Sequence, residues 1–145
     1  MPTGSFPDFY GAWLVISWKN TVIGEESEAL EPMGANPFGR IIFTEDHRMC
    51  AFACRSDRKP GSSDAEIAAL FRSMMAYTGT FRIDGDRFIT TADGAWNESW
   101  KEMEHVRLFK VDGDTLIIKT LPFPSAFYPG KMVVGTLTFI RDRDV

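Results

Sequence analysis

Tyr77 and His105 are the side chains of this sequence best suited to handling a proton. Tyr77 lies where a helical pattern hands over to a strand-like run, and a phenolic O–H at such a junction can donate to a ligand carbonyl or enolate. The competing reading is packing alone. His105 shares a strand face with Arg107 and Phe109 and has Glu102 and Glu104 beside it in sequence. If that face turns inward, the imidazole is open to general acid or base work; if outward, it is a surface histidine among glutamates. His47, the other histidine, reads as a turn residue.

The candidate ligand contacts are Ser17, Lys19, Tyr77, Trp96, Trp100 and Phe127. Strict alternation along a first strand puts Trp13, Val15, Ser17 and Lys19 on one face. An interior lysine could serve as a base or imine former if its pKa fell, whereas a lysine at a strand end beside Asn20 is simply solvated. Trp96 and Trp100 flank a turn-like Asn97-Glu98-Ser99 and offer an aromatic wall. Phe127 belongs to a Pro-rich loop, 122–130, whose rings either gate the way into a pocket or bury a homodimer contact.

None of the patterns that announce cofactor or metal chemistry occurs: no Gly-x-Ser-x-Gly elbow, phosphate-binding glycine loop, nucleotide fingerprint or His-Glu-x-x-His. No cofactor and no metal are therefore expected. Cys50 and Cys54 fall in one strand-like run, which separates them by roughly 13 Å, whereas a disulfide needs Cα atoms under about 7 Å apart. Both read as small apolar fillers. The formal charge is -4, and neither end carries a basic run that could track phosphates, so nucleic acid is not expected as a partner. The first nine residues lack the basic start and apolar stretch of a signal peptide, and no segment approaches the length of a membrane span. A cytoplasmic location without a membrane partner is the expectation.

The elements that must position these residues are mostly strands. With 145 residues, 44% of them hydrophobic, the chain is expected to form one domain over 1–145. Runs of β-branched and aromatic residues predict strands over 11–19, 40–45, 48–55, 78–83, 87–93, 101–111, 115–121 and 131–141. Residues 20–37, with two glycines, two prolines and several glutamates, predict a long irregular loop of the kind that often acts as a lid. Ser63 and Glu66 form a capping-box pattern ahead of Ile67, Leu70, Phe71 and Met74, predicting a helix over 64–76. Asp84-Gly85 and Asp112-Gly113 mark two tight hairpins. Eight strands in hairpin order suit a closed antiparallel up-and-down barrel, since eight is enough to surround side chains or one small ligand. A five- or six-stranded sheet curled over a helix is the alternative.

Gly11-Ala12-Trp13 opening the first strand resembles the Gly-x-Trp signature of lipocalins. With Ser17-Trp18 behind it, Gly39-Arg40-Ile41-Ile42-Phe43-Thr44, then Tyr77-Thr78-Gly79-Thr80-Phe81 and Val106-Arg107-Leu108-Phe109, the order and spacing are similar to the lipocalin-like domain proteins of bacteria and fungi. The resemblance spans residues 11–141 and implies a mainly β, eight-stranded lipocalin-like (calycin) barrel with one inserted helix. It also implies that Trp13 plugs the closed end and is covered by Arg107 or Arg141. The sequence departs from the pattern at His47, where a glycine is expected, and the resemblance is not carried by segment 90–100.

Binding of a small, largely hydrophobic molecule in the barrel interior asks least of these residues, and the aromatic share of 13%, with 12 Phe and 4 Trp, agrees with it. A cofactor-free isomerase or cyclase of a hydrophobic secondary-metabolite intermediate is the alternative, since holding a substrate in a reactive fold needs no signature motif. A protein-interaction module with a filled core is the third reading. It differs in predicting no cavity large enough for a ligand.

Overall fold

The computed structural model describes residues 9–25, 28–101, 103–125 and 127–143. Its strands are β1 (Gly11–Val22), β2 (Phe38–Phe43), β3 (Arg48–Cys54), β4 (Met74–Asp84), β5 (Arg87–Ala95), β6 (Glu104–Asp112), β7 (Thr115–Thr120), the two-residue β8 (Phe123–Pro124) and β9 (Met132–Arg141). Helix α1 (Asp64–Arg72) lies between β3 and β4. Each long strand pairs antiparallel with the next, β7 pairs with β9, and β9 returns to β1, so eight long strands close a barrel. Closure leaves no long strand with an unpaired edge. Among the described residues no helix is long and apolar enough to cross a membrane.

The hairpin signals act as their chemistry requires. Asp84 pairs with Arg87 and Asp112 with Thr115, leaving two-residue loops that begin with Gly85 (φ 65°) and Gly113 (φ 61°). A positive φ at the first loop residue matches the right-handed twist of the flanking strands. Between β2 and β3 the same role falls to His47, at φ 65°. Its imidazole stacks on Phe81 at 5.2 Å, a contact a glycine could not make.

Of the boundaries that differ from the sequence expectation, two bear on the site. The capping box forms, with Ser63 Oγ accepting from the Glu66 amide, but α1 ends at Arg72 rather than at residue 76. Met74 to Tyr77 instead pair in register with β3, from Cys54 back to Ala51. The ladder satisfies those backbone groups and buries Met75 and Tyr77, which outweighs a helical continuation. Helix α1 buries no residue, and Ile67 and Phe71 of its apolar stripe stay exposed.

The second difference is in β1, which continues to Val22 and carries a bulge between Val15 and Ser17. The extra residue, Ile16, inverts the alternation, so Trp13 and Val15 point inward and then Trp18, Asn20 and Val22 do. Ser17 and Lys19 thus leave the interior face on which strict alternation placed them. The two cysteines are free thiols at alternate positions of β3: Cys54, at the strand end, is buried, whereas Cys50 is exposed and not the interior filler expected of it.

One end of the barrel is filled. Phe9, wholly buried, packs against Phe43 at 3.9 Å and Phe109 at 4.6 Å, with Phe81 and Phe88 around it. The indole N–H of Trp13 donates to the Phe9 carbonyl (3.0 Å), and the Arg141 guanidinium lies 3.8 Å from the Trp13 ring centre. The other end of the barrel, the mouth, is where polar side chains turn inward.

Candidate ligand site

Pleating decides which side chains line the mouth half. On β2, β3 and β4 the inward positions Ile41, Ala51, Ala53, Met75 and Tyr77 are apolar but for one phenol, and the two alanines leave room. On β5, β6 and β7 the inward positions are Thr90, His105, Arg107 and Thr120. Register ties these together, since Thr90 pairs with His105 and Arg107 with Thr120. Asn20 on β1, paired with Gly135, continues the polar arc across β9. The wall is therefore two-sided: on β2 to β4 it is apolar but for Tyr77, and the other strands set the polar groups among apolar ones such as Ile118 and Leu137.

Several of these polar groups have partners and some do not. The Gly135 amide donates to Thr120 Oγ1 (2.8 Å), and the Trp18 indole N–H donates to Asn20 Oδ1 (3.1 Å). Asn20 Nδ2 and Thr90 Oγ1 are buried with no hydrogen-bond partner. Such atoms are uncommon in a finished core, where an unmet donor or acceptor costs about 1–3 kcal/mol.

His105 sits at the mouth end of the arc, 7% exposed, with its ring 5.3 Å from that of Tyr77 and 5.1 Å from that of Trp100. Burial, aided by the charge of Arg107, holds its pKa below the ordinary histidine value, partly opposed by its hydrogen bond to the Trp100 carbonyl. That bond runs from Nε2 over 3.2 Å, and a carbonyl can only accept, so Nε2 carries the proton and a neutral ring keeps a lone pair on Nδ1. Tyr77, Trp100 and His105 thus form one aromatic cluster, which Trp96 extends by an edge contact to Trp100 at 5.0 Å.

Loops complete the cover. Phe127 meets Trp18 edge-on at 5.7 Å. The loop after β1 folds back over the mouth, held by paired backbone bonds between Asn20 and Leu30, and drives Met33 into the core. Beneath this cover is a cavity of about 40 Å³, walled by Val15, Trp18, Ile41, Ala53, Tyr77 and Leu137 among others. Trp100, Arg107 and Phe123 line both this cavity and an outer cleft of about 560 Å³ beside β6. Those three side chains are the partition between interior and solvent.

An eight-stranded closed barrel opening on Gly11-Ala12-Trp13, with Arg141 laid over that tryptophan, agrees with the sequence comparison, which matches the lipocalin-like domain over residues 10–142. The chain belongs to the lipocalin-like domain family. No curated protein matches it. In this lipocalin-like barrel the cation over Trp13 is Arg141, while Arg107 stands in the interior on the same face as His105.

Of the residues expected at a site, Tyr77, His105, Trp96 and Trp100 come together at the mouth, and Phe127 packs edge-on against Trp18. Ser17 and Lys19 do not join them; Lys19 is exposed on the outer face. Trp18, Asn20, Thr90, Arg107 and Thr120 are interior residues that sequence reasoning did not single out as ligand contacts. For Arg107 the signal was present, because alternation with His105 and Phe109 already put it on their face. For Trp18 and Asn20 it was not, because a bulge is invisible to a period of two.

Proposed function

We propose that this lipocalin-like barrel binds a small, largely apolar molecule in its mouth half, reached from the cleft beside β6. The observation that carries the reading is the apolar cavity beneath Trp100, Arg107 and Phe123, parted from the outer cleft by those side chains, which line both. At about 40 Å³ the closed cavity has room for little more than water, whereas drug-sized ligands occupy roughly 300–1,000 Å³. Binding therefore requires the aromatic cover to swing outward. The test is native mass spectrometry of the purified protein for a retained small molecule, together with titration by Nile red. A retained apolar mass or a saturable fluorescence rise supports the reading; a bare mass and no response reject it in favour of a filled barrel that meets other proteins.

A second reading, a cofactor-free isomerase or cyclase, rests on the contact between Tyr77 and a neutral His105. His105 Nδ1 would accept a proton from carbon while the Tyr77 hydroxyl donates to the developing enolate. Tyr77→Phe would then lower turnover with little change in stability. Unchanged turnover removes Tyr77 from that chemistry.

A further inference from the structure

We infer that the ligand is an amphiphile with one carboxylate, and that Arg107 and Thr120 form the subsite for its head group. The inference deepens the binding reading and rests on it. Six ion pairs occur among the described residues, and Arg107 is in none of them; Arg40, Arg55, Arg82, Arg87 and Arg143 all have carboxylate partners outside the barrel. Arg107 instead points along an inward face between His105 and Phe109, and its Nη1 donates only to the carbonyl of its own neighbour, Val106 (3.1 Å).

A guanidinium has five donors in a planar fork that matches a carboxylate, and one bond to a backbone carbonyl leaves that fork able to take a bidentate partner at the cavity wall. Thr120 stands directly opposite on β7 and lines the same cavity. Its oxygen is taken as an acceptor by the Gly135 amide, which leaves the hydroxyl proton to donate. The polar arc thus offers donors at this level, while the facing wall of Ile41, Ala51, Ala53 and Met75 offers only surface for a hydrocarbon body. His105 beside it, neutral or cationic, has no negative charge with which to balance Arg107. The protein's overall charge of -4 repels anions at long range, so preference for an acid must arise locally.

The experiment compares decanoic acid with decan-1-ol at pH 8 as competitors of Nile red on the full chain. The acid is expected to bind about tenfold or more tighter than the alcohol. In Arg107→Gln the ratio of acid to alcohol affinity should fall to about one; Arg107→Lys should keep part of the preference. Equal binding of acid and alcohol to the unaltered protein overturns the head-group subsite yet leaves the binding reading standing, and needs no variant to fold. A preference that survives in Arg107→Gln also overturns it. Failure of Nile red and both competitors to bind overturns both.

Discussion

Replacing Phe9 by alanine should unplug the filled end of the barrel. The ring has no exposed surface and meets Phe43 on β2, Phe81 on β4, Phe88 on β5 and Phe109 on β6, at centroid distances of 3.9 to 5.8 Å. Truncating a buried phenylalanine costs about 3–5 kcal/mol, the larger values where surrounding groups cannot collapse into the void. Here the partners stand on four strands tied by their own ladders, so collapse is restricted and about 4 kcal/mol is expected. For a chain of this size that corresponds to a fall in Tm of about 8–16 °C. Urea unfolding followed by tryptophan fluorescence should show an earlier midpoint at unchanged slope, since the surface exposed on unfolding barely changes. Nile red binding should persist, because Phe9 does not itself line the cavity. A loss below about 1 kcal/mol would refute the assignment of Phe9 to the cooperative core.

Arg141→Met removes the cation over Trp13 and the donor to the Tyr10 carbonyl (2.6 Å), and should lower stability by about 1–2 kcal/mol in chemical denaturation. Because His105 is held below its ordinary pKa, the unfolded chain binds more protons than the folded one between the two values. The histidine therefore makes stability fall as pH drops below about 6.5, with its full contribution above that value. His105→Gln should flatten this limb in urea midpoints measured against pH, leaving the lower-pH limb of Asp46, Asp57 and Glu66, whose pKa values are lowered. Lys19→Ala should change neither Nile red affinity nor stability; a marked loss of affinity would show that the bulge at Ile16 does not turn Lys19 outward. Gly39→Ala would set a Cβ 2.1 Å from the Phe52 carbonyl oxygen, and parting β2 from β3 should cost about 1–3 kcal/mol in the same unfolding assay.

The eight strands, their hairpin order and the family could be read from the chain, because each rests on local signals: alternation, Asp-Gly at the turns, Ser63 and Glu66 at the helix start, Gly11-Ala12-Trp13 at the first strand. The grouping of Tyr77, His105, Trp96 and Trp100 was legible only as four separate candidates; their contacts depend on the register of β4 with β5 and of β5 with β6. Where the helix ends was decided by tertiary pairing, since residues 74–76 suit a helix by themselves and a ladder once β3 is beside them.

Sequence alone determined the inventory: a barrel rich in aromatic residues, with His105, Arg107 and Phe109 on a common face, because a period of two is a property of each strand. Tertiary structure decided which faces are interior. One added residue at Ile16 exchanges Ser17 and Lys19 for Trp18 and Asn20, and closure of β9 on β1 sets Arg141, not Arg107, over Trp13. Both outcomes follow from register between strands distant in sequence, which no window along the chain contains.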